Sequence, residues 1–179
     1  MRALIFLLLM LLFAPLSTAD ASGSLSRYRL GSGDMIEILV FNEEELSIKS
    51  RLSDTGTISF PLLGEMKISG MTMGELEGYV VGLLKGEEKY LINPKVTVSV
   101  VEYRQIFVTG EVEEPGSYAF IPGLTVRKAI SIAGGSTRRA SKTKIFIIND
   151  NDPSEKQHKV ILKDLVQAGD TITVEESFF

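Results

Sequence analysis

Residues 35–41 read MIEILVF. On an extended chain Ile36, Ile38 and Val40 fall on one face and Met35, Leu39 and Phe41 on the other, so the pattern predicts a strand buried on both sides. Leu46, Ile48 and Leu52 alternate with Ser47, Lys49 and Arg51, as on a half-buried strand. Asp54-Thr55-Gly56 turns the chain into a strand over 57–60, whose pairing Pro61 limits, and a second short strand follows over 64–69. Thr72-Met73-Gly74-Glu75 has the form of a capping box, in which each side chain satisfies a backbone N–H of the first helical turn. The helix it opens carries Leu76, Tyr79, Val80, Leu83 and Leu84 on one stripe and ends at Gly86. Gly74, Gly78 and Gly82 fall on another face, open either to close approach of another backbone or to plain tolerance at about 1 kcal/mol each. Val96, Val98 and Val100 mark a strand over 95–101.

The second half is organised by residues 108–141, which read as strand, turn, strand, helix and glycine stop. Glu114-Pro115-Gly116 has type II turn chemistry, with Pro fixing φ and Gly taking φ > 0, and leads to a strand over 118–120. Thr125 caps a helix with Val126, Ala129, Ile130 and Ala133 on its buried face, and Gly134-Gly135 stops it. A hairpin followed by a helix on its apolar side is half of a β-grasp. Runs at 144–148, 159–162 and 171–174 supply further strands, with a polar loop over 149–158 and a short helical turn over 163–166. Gly169-Asp170-x-Ile172-x-Val174 repeats the form of Gly33-Asp34-x-Ile36-x-Ile38: glycine for the turn, Asp to accept a backbone N–H, then alternation. The fold class is therefore α+β in two small domains, a mixed β-sheet domain with one helix over 27–102 and a β-grasp over 103–179.

Residues 1–21 stand apart. Arg2 is a positive n-region, 3–13 an apolar h-region, and Ala19-Asp20-Ala21 a small-x-small cleavage signal, so this is a signal peptide, followed by a polar linker over 22–26. An uncleaved anchor would need a longer apolar run, about 20 residues. The net charge of −4, with no basic run, argues against nucleic acid as a partner. The chain has no cysteine, which excludes disulfides, thiolate metal sites and a Cys nucleophile, and also the lipidated cysteine of a lipoprotein.

Few residues suggest chemistry. His158 is the sole histidine and has no partner at metal-ligand spacing, so neither a metal site nor a triad is expected, and no cofactor loop is present. The acidic groups at 43–45 and 113–114 would be a glycosidase pair only with a cleft and aromatic platform, and the chain has no Trp. Arg138-Arg139 fits a contact with an anionic sugar or a neighbouring subunit, or a solvated basic pair. Phe178-Phe179 fits a docking end or a cover for the chain's own core, and the five tyrosines are candidates for a sugar-binding groove. No catalytic, cofactor-binding or metal site is assigned.

The order VTGEVEEPGSY…LTVRKAISIAGG resembles the SLBB β-grasp of bacterial polysaccharide export proteins. The first half resembles the export domain that precedes it, through Tyr28-Arg29-Leu30, Gly33-Asp34-x-Ile36-x-Ile38, Asp54-x-Gly56-x-Ile58-x-x-Pro61-x-x-Gly64, Gly70-Met71-Thr72 and Pro94-x-Val96-x-Val98. The resemblance to this Wza-like family implies a non-catalytic periplasmic component of capsule or exopolysaccharide export, associated with the outer membrane and self-associating into a ring. It implies a polysaccharide as cargo, a separate outer-membrane pore protein, and an inner-membrane polysaccharide co-polymerase complex as partners. Pore-forming members carry a lipidated N-terminus and a C-terminal amphipathic helix. This chain shows neither, so it is not expected to perforate the outer membrane itself. A freestanding carbohydrate-binding module is the alternative.

Overall fold

A computed structural model describes residues 28–86, 90–150 and 152–177. The leader, the linker and Phe178-Phe179 lie outside the described residues. Among the described residues, ten strands and two α-helices form an α+β fold with two separate apolar cores.

In the first half, β1 (Met35–Val40) lies between β2 (Ile48–Arg51) and β5 (Val96–Glu102), both antiparallel to it. β3 (Thr57–Phe60) and β4 (Gly64–Lys67) pair as a separate hairpin. Helix α1 (Met73–Leu84) begins with the expected capping box: Thr72 Oγ1 accepts from the Glu75 N–H at 3.2 Å, and Glu75 Oε2 accepts from the Thr72 N–H at 2.8 Å. Leu76, Val80 and Leu84 are fully buried, each stabilising the fold by roughly 1.5–3 kcal/mol relative to exposure. Tyr79 sits at the rim, and Gly74, Gly78 and Gly82 face open space. Glu77 Oε1 accepts from the Val98 N–H at 2.9 Å, so α1 also covers part of the β5 edge.

The burial of β1 differs from expectation. Ile36, Ile38 and Val40 are buried, but Leu39 and Phe41 are 48% and 67% exposed. The buried face meets the core shared with α1 and the hairpin, and the opposite face is uncovered. Alternation identifies two faces of a strand but not whether a second layer covers each.

In the second half, five strands pair in the order β7-β6-β10-β8-β9: β7 (Gly116–Tyr118), β6 (Ile106–Gly110), β10 (Thr171–Glu176), β8 (Ala140–Ile148) and β9 (Gln157–Lys159). The parallel pairing, β10 against β6, lies here, whereas the first domain's sheets are antiparallel rather than mixed. Helix α2 (Val126–Ile132) shares one apolar cluster with the sheet, burying Val126, Ala129 and Ile130, with Ala133 just beyond. The Gly135 N–H reaches back to the Ile130 carbonyl at 2.9 Å, a Schellman closure that Gly134 and Gly135 permit with φ of +77° and +91°.

Three local expectations are corrected. Gly116 does not take a left-handed φ; it opens β7 as extended chain. The turn over 111–115 is held from outside, since the Glu113 and Glu114 N–H groups bond the Gly135 and Ala133 carbonyls and the Tyr118 hydroxyl donates to the Glu114 carbonyl. The special glycine is Gly110, at φ +84°, where a Cβ would fall 2.1 Å from the Val174 carbonyl oxygen. The strand expected over 159–162 is β9, displaced towards the loop so that it carries His158. Residues 163–166 form a turn and bridge rather than helix, with Leu165 opposite Thr125.

Candidate functional site at the joint between the domains

The two cores meet at a connector, Tyr103-Arg104-Gln105, between β5 and β6. Arg104 is 8% exposed, unusual for a cation, and its partners come from both sides. Asp34, fully buried at the start of β1, accepts the Arg104 backbone N–H at 2.8 Å and its Nη1 at 3.1 Å. Nη1 also donates to the Tyr28 hydroxyl at 2.8 Å, and that hydroxyl donates onward to Asp34 at 2.7 Å. Nε donates to Asp150 Oδ2, in the second domain, at 2.9 Å. No buried side-chain polar atom among the described residues lacks a partner, so the cation is compensated as a buried charge must be.

The repeated Gly-Asp motif builds this joint twice over. Asp34 Oδ2 accepts the Gly31 N–H and Asp170 Oδ2 the Gln167 N–H, each at 2.8 Å, while each Asp N–H returns to the carbonyl of that same residue. The preceding glycines have nearly equal φ, +89° at Gly33 and +88° at Gly169. The remaining oxygen distinguishes the two: Asp34 takes the Arg104 N–H, whereas Asp170 takes the Asn149 side-chain amide at 3.2 Å. Two glycines clear space for the guanidinium. A Cβ on Gly31 would lie 2.4 Å from Arg104 Nη1, and one on Gly169 would lie 2.7 Å from Nε and 2.6 Å from Asp150 Cγ.

Beside the ionic contacts runs an aromatic ladder. The Tyr28 and Tyr103 rings meet edge to face at 4.9 Å, and Tyr103 meets Phe120 of the second domain at 5.4 Å. Burial, reinforced by the hydrogen bond to Asp34, pushes the Tyr28 hydroxyl well above the usual phenol range. Burial, with the nearby Asp34 charge, raises Tyr103. Burial also raises the Asp170 carboxyl, against the opposing hydrogen bonds from Gln167 and Asn149. The raised tyrosine hydroxyls stay protonated, so Tyr28 remains a donor to Asp34 and an acceptor for Arg104.

The other candidates are scattered. His158 lies exposed on β9, 3.8 Å from Asp152. Glu44 and Glu45 occupy an exposed 3-10 turn in the first domain, while Glu113 and Glu114 are exposed in the second. Arg139 pairs with Glu176 at 2.5 Å, and Arg138 is exposed. The tyrosines form no single groove: Tyr28 and Tyr103 belong to the joint, Tyr90 packs on the first core, Tyr118 on the second, and Tyr79 on the rim of α1. At the far end of β1 a shallow cleft of about 230 Å³ lies between Phe41–Glu43 and Leu91–Lys95, with Lys95 Nζ 5.9 Å from the exposed Phe41 ring. Among the described residues no group of His, Cys, Asp and Glu could hold a metal, and no helix is long and apolar enough to cross a membrane.

A small antiparallel domain with one helix, joined through a buried arginine to a β-grasp, defines a two-domain α+β class. Comparison with known families specifies it. Residues 22–101 match the family of polysaccharide biosynthesis/export proteins, and residues 105–157 match the SLBB domain. The chain belongs to the polysaccharide export family. Similar proteins include the exopolysaccharide production protein ExoF of Rhizobium meliloti, 31% identical over 147 residues, covering 74% of this chain and 35% of ExoF. The EPS I polysaccharide export outer membrane protein EpsA of Ralstonia nicotianae is 29% identical over 60% of this chain and 34% of EpsA. The polysialic acid transport protein KpsD of Escherichia coli is 27% identical over 69% of this chain and 22% of KpsD. The chain thus spans about a third of ExoF and EpsA and less of KpsD.

Proposed function

We propose that this protein is a non-catalytic periplasmic component of an exopolysaccharide or capsule export apparatus, associated with the outer membrane. It forms or extends a hydrophilic conduit, breaks no bond in the polymer, and reaches its compartment through a cleaved leader over 1–21. The observation that carries this reading is the succession of an export domain and an SLBB domain in one chain, an order found over most of its length. The names of ExoF, EpsA and KpsD as exopolysaccharide production, export and transport proteins support it. We take the domain limits as 27–102 and 103–179, a division supported by two apolar clusters whose buried members run to Val98 and resume at Ile106.

Self-association into a ring, a separate outer-membrane pore protein and an inner-membrane polysaccharide co-polymerase complex complete the apparatus. Two small domains held in one orientation suit side-by-side packing around an axis, because each copy then presents the same flanks. The second reading, a freestanding carbohydrate-binding module, draws on the cleft beside Phe41, which Asn42 and Asn93 also line. Mass measurement and calorimetry of the mature protein separate the two. Ring-sized assemblies with no measurable oligosaccharide affinity support the conduit; a monomer that binds oligosaccharide tightly supports the module. Ion-conducting pores opened in lipid bilayers by the purified protein would contradict the need for a separate pore.

A further inference from the structure

We propose that Arg104 is a positioning residue that sets the orientation of the second domain against the first, and that its bond to Asp150 is where that orientation is released. The two sides of the joint are unequal. Towards the first domain Arg104 makes three hydrogen bonds, from its backbone N–H and Nη1, to the fully buried Asp34 and to Tyr28. Towards the second domain the guanidinium makes one, from Nε to Asp150, whose side chain is 43% exposed. Breaking the first set strands a carboxylate that water cannot reach. Breaking the second returns a carboxylate at the rim to solvent, at small cost.

The neighbouring contacts allow motion once that bond is gone. Edge-to-face rings at Tyr28, Tyr103 and Phe120 make no hydrogen bond with one another and resist rotation only by the modest preference of such pairs. The Nε–Asp150 bond is charge-assisted and directional, and Gly169 lies so close that a Cβ there would fall within 2.7 Å of both partners. Closure at this point therefore selects one angle. Release lets the β-grasp turn about the 103–105 connector while the Arg104 side chain keeps its bonds to Asp34 and Tyr28. This inference is independent of whether the chain exports polymer.

The absence of cysteine makes the test direct. Spin labels are placed on the mature full-length chain at Lys67→Cys and Ser131→Cys, exposed sites on β4 and α2, and the interdomain distance distribution is measured by pulsed electron resonance. The parent is expected to give one narrow distribution. Asp150→Asn, which removes the charge but keeps the shape, is expected to raise the population of displaced orientations by up to about fivefold, the upper worth of a rim ion pair. Molar salt is expected to broaden the parent in the same direction and to add little to Asp150→Asn, because a rim pair is screened. Arg139→Gln, which breaks the Arg139–Glu176 pair inside the second domain, serves as control and leaves the parental distribution. An Asp150→Asn chain with parental melting temperature and an unchanged distribution overturns the proposal. So does a parent already broad at low salt.

Discussion

Asp34 and Asp170 occupy the same local motif, so truncating each in turn isolates what Arg104 adds. Asp170→Ala removes the acceptor for the Gln167 N–H and the Asn149 amide. Losing these part-buried hydrogen bonds to a buried carboxylate costs about 1–3 kcal/mol. Asp34→Ala removes the matching acceptor for Gly31 and also leaves the Arg104 cation, 8% exposed, without its buried counter-charge. Breaking a buried pair from one side costs about 3–5 kcal/mol. At a urea slope of about 2 kcal/mol/M, the unfolding midpoint of the whole chain, followed by far-ultraviolet circular dichroism, should fall by roughly 2 M for Asp34→Ala and roughly 1 M for Asp170→Ala. The double variant Asp34→Ala/Arg104→Met, which removes both charges, should lose less than Asp34→Ala alone. Equal shifts for the two alanine variants, or no recovery in the double variant, would refute the assignment of Arg104 to Asp34.

Further consequences can be measured on the same protein. Gly110→Ala should destabilise the second domain by more than about 3 kcal/mol, combining left-handed strain with a backbone clash, while Gly116→Ala, with no neighbour closer than 3.9 Å, should stay within about 0.5 kcal/mol; urea midpoints distinguish them. Leu76→Ala should cost about 2–5 kcal/mol as a cavity in the first core, read from the melting temperature. The capping box and the second Gly-Asp motif should respond to acid in opposite senses. Hydrogen bonding to Thr72 holds the Glu75 carboxyl below its ordinary range, so its contribution is present above that range and is lost as pH falls through the depressed value; Glu75→Gln should remove this slope. Burial raises Asp170, so its contribution is present below the ordinary carboxylate range and is lost as pH rises through the raised value; Asp170→Asn should remove that opposite slope. Melting temperature against pH reads both.

Local chemistry was legible in the sequence wherever it closes within a few residues. The Thr72–Glu75 box, the Gly134-Gly135 stop and the buried stripe of α2 formed as their patterns indicate. So did the shared Gly-Asp geometry ahead of β1 and β10. What escaped depends on distant partners. The turn before β7 is shaped by the carbonyls at the end of α2, so its Pro-Gly chemistry misled. Leu39 and Phe41 look like core residues until the missing second layer is known. The joint was the largest omission, because Arg104 meets Tyr28, Asp34 and Asp150 from dozens of residues away and no local period encodes such a meeting. A signal was available in the polar Tyr103-Arg104-Gln105 between two Val/Ile-rich runs, where a cation must either reach water or find buried acceptors.

The claim that this chain serves polymer passage is tested most directly by deleting it in its own cell and measuring polysaccharide on the surface and retained inside. The account predicts surface polymer falling away while retained polymer of normal composition accumulates, with both restored by the full-length chain. Unchanged surface polymer, or loss of synthesis itself, would contradict it.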